Sequence, residues 1–360
     1  MIIPFFIMNR GCPHRCLFCN ERLTAGAHPD RITEAAFNQT VRRYLSSARR
    51  TGGPVQIAFY GGTFTGMERK EQRRLLGLAA PFLREGAVDS LRISTRPDEI
   101  DREGLALLRV FGVTTVEVGA QSLDDEVLLN SNRGHTAADS ARAVAILREE
   151  GFATGVHLMA GLPGDRKDRF AHTVEKVVAL GPDMVRIHPT LVLRETPLAD
   201  AFREGRYVPL TLAEAVSQCG EALKRLTVAG IPVIRLGLQT TGELEEPGAV
   251  VAGPFHPAFR SLVESALLRE MAASLLRAAG PGIDQAVFTL APADLSNFPG
   301  QRRENIIALR ERFRLTEIRL DSDRDLPRFT LILAAGGRTL RTDLSGGIAE
   351  NRRDDLHVLR

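Results

Sequence analysis

The chain has no tryptophan, only 6% aromatic residues and just four cysteines among 360 residues. So few aromatics leave little material for a base-stacking platform. Cys12, Cys16 and Cys19 crowd into one short segment, which argues against a disulfide framework and for a metal centre. Charge of one sign is scarce as well. Lys+Arg exceeds Asp+Glu by three and no block of like charge stands out, so a pI near 8.8 permits RNA binding without arguing for it. Long apolar runs are missing. Residues 2–8 are too few for a signal peptide's apolar region, no basic segment precedes them, and no stretch reaches transmembrane length. These absences point to a cytoplasmic protein with no membrane association. What is present is ordinary core material, 44% hydrophobic and 25% charged, enough for one large domain or two of common size.

Up to about residue 240 the sequence alternates short β-branched runs with longer amphipathic stretches. Strands are expected at 2–8, 55–60, 90–95, 115–119, 153–159, 184–188 and 233–236, and helices at 33–49, 70–84, 102–111, 136–149, 168–179 and 212–228. Regular β–α alternation predicts a parallel sheet with helices outside it. No nucleotide fingerprint follows the first strand, so the pattern favours a partial (β/α)6 TIM-like barrel over residues 1–240. Residues 241–335 read as a small C-terminal α/β extension, with helices at 257–279 and 301–313 and strands at 286–290, 316–320 and 328–333. From Gly336 to the end, residues 336–360 read as a polar tail expected to fray.

The distinctive loops all follow strand ends, where barrel active sites are built. GCPHRCLFCN comes after the first strand, then YGGTFTG, STRPDE, GAQSLDDE, AGLPGD and HPTLV after the next five. In the first of these, Cys12, Cys16 and Cys19 supply three soft thiolates. They suit three irons of a 4Fe–4S cubane and leave the fourth open to chelate the amino and carboxylate groups of S-adenosylmethionine (SAM). A zinc site would want a fourth ligand, and His14 inside the triplet is an awkward one. Cys219 falls in a helical pattern and reads as core.

The C-x3-C-x2-C triplet after an N-terminal strand resembles the signature of the radical SAM superfamily. YGGTFTG (60–66), STRPDE (94–99), VEVGAQSLDDEVL (116–128), NRGHT (132–136), HLMAGLPGD (157–165) and VRIHPTLVLRETPL (185–198) follow in order. Together they resemble the radical SAM domain of the Elongator catalytic subunit and its short bacterial relatives. Two departures stand out: the spacing between the first two cysteines is shorter than Elongator's, and the roughly 120 residues after 240 carry no acetyl-CoA loop. Uridine carboxymethylation by Elongator's route is therefore not expected.

The resemblance implies that SAM is cleaved reductively to a 5′-deoxyadenosyl radical, with an electron donor of the flavodoxin or ferredoxin type. It implies SAM contacts at Gly61 and Gly62 (amine), Arg96 and Arg133 (carboxylate), Gln121 and Ser122 (ribose) and Gly161, Gly164 and Asp165 (adenosine), with Thr63 and Ser94 as further cofactor contacts. His157 and Met159 alternate on the fifth strand and so share a face, expected to be the inner one, and His188 and Thr190 fall on the sixth strand or its exit, near the expected adenine position. Glu117, inside a strand, needs a partner if it faces the barrel, and Arg235 is placed to reach a substrate cavity. For the substrate, tRNA uridine is one candidate and a small molecule or tetrapyrrole another; a non-catalytic cluster-bearing scaffold is the alternative of a different class. Arg42, Arg43, Arg49 and Arg50 would be the phosphate contacts of an RNA reading, against the plainer one of a solvated helix face.

Overall fold

The computed structural model describes residues 1–26, 28, 31–47 and 53–351; Arg49 and Arg50 lie outside them. The chain divides into two units. The first comprises Met1–Ala215 and Ile231–Pro257, the second Val216–Gly230 and the chain from Ala258 onward. Most of the helix Leu212–Val228, expected in the barrel, therefore groups with the second unit.

In the first unit, strands β1 (Ile2–Phe6), β2 (Gln56–Tyr60), β3 (Ser90–Thr95), β4 (Val113–Gln121), β5 (Ala153–Ala160) and β6 (Met184–Pro189) lie side by side in chain order. A short strand β7 (Val192–Leu193) intervenes before β8 (Val233–Leu236) pairs with β6 and completes a seven-stranded, all-parallel sheet. β7 pairs instead with β9 (Val250–Ala252), antiparallel. The expected alternation is thus present, as a partial barrel of seven strands.

The two faces of the sheet differ in kind. Ile3, Phe5, Ile57, Phe59, Leu91, Ile93, Val116 and Val118 point outward and are buried with Phe37, Leu75, Leu76 and Phe82 of the covering helices. Phe5 stacks on Phe37 with ring centres 4.2 Å apart. The alternate positions carry Gln56, Tyr60, Arg92, Glu117, His157 and Arg186. Strands of a parallel sheet covered on both faces are usually apolar throughout, so the polar set marks the inner face as more than core. The sheet must also curl. The Arg186 Nη2 of β6 donates to the Tyr60 hydroxyl of β2 at 2.8 Å, although four strand spacings would separate them by roughly 19 Å in a flat sheet.

In the second unit, β10 (Gln285–Leu290), β11 (Glu317–Ser322), β12 (Leu331–Ala335), β13 (Arg338–Thr342) and β14 (Ile348–Asn351) form a mixed sheet in the order β11-β10-β12-β13-β14. The long helix Phe259–Ala279 and the helix Glu304–Phe313 belong to it. Here one expectation is corrected. Among the described residues, those from Gly336 to Asn351 do not fray: β12 turns directly into β13, and Leu340 is buried. Gly336 and Gly337 hold φ of +57° and +78°, as a two-residue hairpin needs. The Gly-Gly turn is what a reading by polarity overlooks. Strand 328–333 is corrected too: pairing begins only at Leu331, because Phe329 takes a left-handed φ of 56°.

Candidate cluster and cofactor site

The cysteine loop is folded by backbone that only certain residues tolerate. Met8 and Asn9 after β1 have φ of 42° and 60°, and Gly11 has 75°. A Cβ on Gly11 would lie 2.1 Å from the Thr63 carbonyl oxygen, and one on Gly66 would lie 2.3 Å from the Gly11 carbonyl oxygen. The loop after β1 is thereby pressed against the loop after β2. Backbone bonds fasten the two: Asn9 N–H donates to the Gly61 carbonyl at 2.6 Å and Thr63 N–H to the Arg10 carbonyl at 2.9 Å. A third segment closes on the loop from the other side. Leu17 N–H donates to the Ser131 carbonyl, Asn132 Nδ2 donates to the Arg15 carbonyl, and the His14 ring lies against Gly134, where a Cβ would meet it at 2.4 Å.

Each thiol meets a polar neighbour. Cys12 Sγ is 3.1 Å from Thr63 Oγ1, Cys16 Sγ accepts from Arg133 Nη1 at 3.0 Å, and Cys19 Sγ is 3.6 Å from Asn9 Oδ1. Burial raises the Cys12 and Cys19 thiols, and the Glu21 carboxylate and the neighbouring thiols raise them further. That mutual influence places all three sulfurs within electrostatic range of one another. Thiols raised in this way ionise on binding a metal, so ligation and proton loss are one event. Among the described residues, no three His, Cys, Asp or Glu side chains stand together as the ligands of a single ion. A cubane instead takes each thiolate on a different iron, which this triplet fits better than zinc.

At or just past the ends of β3, β4 and β6, within β5, and at Arg133 in the segment that closes on the cysteine loop, buried polar atoms lack protein partners. They are Arg96 Nη1, Gln121 Oε1, Arg133 Nε, His157 Nε2, His188 Nε2 and Thr190 Oγ1. Orphaned buried groups are costly and rare, and so many in one place suit a polar ligand such as SAM. Gln121 holds a left-handed φ of 66° where the β4–β5 register shifts. His157 and His188 stand edge to face with ring centres 4.5 Å apart. Burial keeps both neutral, lowering His157 to about 3, and the Arg186 guanidinium adds to the effect.

Other residues expected at the site have protein work to do. Gly61 has φ of 80° and packs against Phe6 and Glu21, and a Cβ on Gly62 would lie 2.7 Å from the Arg10 carbonyl oxygen, so the close approach Gly62 permits is to the cysteine loop. Thr63 is fully buried beneath Cys12. Arg96 spends its fork on Asp98 at 3.0 and 2.8 Å and donates to the Arg133 carbonyl, leaving one nitrogen unpaired. Ser94 is half-buried, and its carbonyl accepts from Phe64 N–H. Ser122 hydrogen-bonds Thr173 and the Asp124 N–H. Gly161 donates to Asp165 and accepts from the Tyr207 hydroxyl, supporting its own turn; burial raises that Asp165 carboxyl to about 6.

Below this ring lies a network that sequence reading found only in part. Glu117 Oε1 accepts from the Tyr60 hydroxyl at 2.9 Å and from Arg92 Nη1 at 2.8 Å. Arg186 Nε stands 2.7 Å from Glu117 Oε2, an ion pair without hydrogen-bond alignment. Arg92 also donates to Gln56. Charged residues at strand centres were the available signal. A separate cleft of about 400 Å³ opens on the outside, lined by residues such as Glu34, Arg42, Arg74 and Glu85; it holds none of these groups. Among the described residues no helix is long and apolar enough to cross a membrane.

Comparison with known proteins agrees with this arrangement. The chain is similar to a tRNA uridine(34) acetyltransferase of Methanocaldococcus infernus, 27% identical over 244 residues, spanning 57% of this chain and 46% of that protein. It is 33% identical over 135 residues to human Elongator complex protein 3, covering 36% and 24% of the two. The solved archaeal Elp3 of Methanocaldococcus infernus shares the fold, with a TM-score of 0.56 at 22% identity over 75% of this chain and 63% of that one. The chain spans about half the length of the curated acetyltransferases it matches. A model of the radical SAM superfamily matches residues 6–177 and a radical SAM C-terminal domain model matches residues 182–269. The two run head to tail from the end of the first strand into the long helix of the second unit, and on that ground the chain belongs to the radical SAM superfamily, whose members use a 4Fe–4S cluster and S-adenosylmethionine.

Proposed function

We propose that this chain is a radical SAM enzyme that modifies uridine in tRNA, drawing its electron from a flavodoxin- or ferredoxin-type donor in the cytoplasm. The observation that carries the enzyme reading is the ring of buried, unpartnered polar atoms beside three clustered thiols. A scaffold that merely held a cluster would have no use for the ring. The tRNA reading is supported by the relatives, which include enzymes named for tRNA uridine(34).

Once bound, the cluster and SAM supply reductive cleavage to a 5′-deoxyadenosyl radical. The chain's own residues hold and shape the site. Cys12, Cys16 and Cys19 would ligate three irons. Arg133 donates to Cys16 and so withdraws charge from that sulfur, which favours the reduced state. Its unpaired Nε, with Arg96 Nη1, is suited to a carboxylate, and Gln121 Oε1 to a hydroxyl. His157 and His188, held neutral, offer hydrogen bonds without adding charge next to a sulfonium. Gly61, Gly62 and Gly161 let the supporting loops close around these groups.

Anoxic reconstitution with iron and sulfide, then addition of dithionite and SAM, should yield 5′-deoxyadenosine. An intact cluster without cleavage would support the scaffold. Nucleosides of tRNA from wild-type and deletion cells should differ at a uridine; identical profiles would remove tRNA as the substrate.

A further inference from the structure

The inner face of the sheet carries more positive charge than its own acids answer. Arg92 on β3 and Arg186 on β6 both pair with Glu117 on β4. Arg235 on β8 sits beside Arg186 in strand register. It shares the field of Arg186, Tyr60 and Glu117, which puts its guanidinium on the same face. Three guanidinium groups thus face one carboxylate, and Arg235 makes no hydrogen bond or ion pair among the described residues. It is only partly exposed.

A half-buried arginine beside a second, fixed one is unfavourable unless an anion joins them. The guanidinium fork is shaped for an oxyanion, either carboxylate or phosphate. Arg186 cannot turn away to relieve the repulsion. It is held by Glu117 and the Tyr60 hydroxyl, with its guanidinium 4.8 Å from the Tyr60 ring centre. Next to this pair, one strand over, His157 is the register partner of Arg186 and presents an unpartnered Nε2. The neighbouring positions therefore offer a cationic contact and a neutral one.

We infer that Arg235, with Arg186 behind it, forms a binding site for an oxyanion of the substrate, separate from the cofactor's own carboxylate. The inference rests on the enzyme reading above and narrows it: the substrate must carry a carboxylate or a phosphate near the atom that reacts. A nucleotide of an RNA chain meets that requirement through its phosphate, and a small acid through its carboxylate.

Calorimetric titration of the full-length, cluster-loaded protein with inorganic phosphate and with malonate tests the site, using wild type and R235Q, with and without SAM. Arg235 contributes no pair to the fold, so R235Q should fold, and circular dichroism and melting will show that it has. Wild type is expected to bind one of the two anions, and R235Q to bind it roughly tenfold more weakly or worse. The preferred anion distinguishes phosphate from carboxylate substrates. Equal binding by R235Q, or no binding by wild type, overturns the proposal. So does displacement of the anion by SAM, since the oxyanion would then be the cofactor's. Repeating the titration on cluster-free protein needs no SAM cleavage, so the anion site and the radical reading can fail independently.

Discussion

Each unit gathers arginines around buried carboxylates, and the two clusters are finished to different degrees. In the second unit, Glu264 accepts from Arg260 Nε, Arg328 Nη2 and Asn297 Nδ2, all at 2.7 Å. Fully buried Asp294 takes Arg328 Nε at 2.8 Å and the Phe329 N–H at 2.7 Å. Two acids meet two arginines and their oxygens are satisfied. In the first unit one acid meets three arginines. All but one of the buried, unpartnered side-chain atoms among the described residues also belong to that unit, the exception being Gln218 Oε1. A closed cluster holds a fold together, whereas an open one is kept for something that arrives.

The comparison breaks at once if the open site can lose its thiols without consequence. Replacing any of Cys12, Cys16 or Cys19 by alanine should abolish cluster retention and SAM cleavage, read as bound iron and 5′-deoxyadenosine. The closed cluster should answer in stability instead. E264Q leaves two arginines facing a neutral amide; both are more than a third exposed and Arg328 keeps Asp294, so the loss should be about 1–3 kcal/mol. Denaturant unfolding checks it, and a loss below about 1 kcal/mol would place Glu264 with ordinary surface pairs.

A third effect is sharper in its pH dependence than in its size. The folded pKa of His157 lies near 3, below its unfolded value of 6.5. Unfolding therefore takes up a proton between those values, and stability falls as pH drops through that window, by at most about 1.4 kcal/mol per pH unit for each such histidine. Above pH 6.5 the contribution is constant. H157Q should flatten the decline in melting temperature between pH 6.5 and 4 relative to wild type; parallel curves would mean that His157 is not held neutral. The smallest effect belongs to Arg235. Without added anion, R235Q should unfold within about 1 kcal/mol of wild type or slightly higher, because a partly buried charge without a partner is removed. A loss comparable to that of E264Q would show that Arg235 is part of the fold.

Much of this was legible in the sequence, for identifiable reasons. The seven strands of the parallel sheet fell within two residues of expectation because their outward positions, such as Ile57, Phe59, Leu91 and Ile93, are β-branched, leucine or aromatic in strict alternation, whereas the short strands β7 and β9 were not expected. The cysteine loop was visible because its ligands are local. The Tyr60–Arg92–Glu117–Arg186 network was only hinted at, since its members come from four strands far apart in the chain and meet only when the sheet curls. Thr63 shows the converse case: it was expected as a cofactor contact, and its hydroxyl is found against Cys12 Sγ. The hairpin at Gly336 and Gly337 was missed because its strands alternate polar with apolar residues, and Leu340 alone marks the buried side clearly.

The central claim is that three thiolates hold a cubane whose fourth iron is left to the cofactor. The most direct measurement is electron–nuclear double resonance on the reduced, anoxic protein with SAM labelled in its amino nitrogen and carboxylate. Coupling of both labels to the cluster is the predicted result. A full complement of iron and sulfide with neither label coupled, and every iron already ligated by protein, would contradict it.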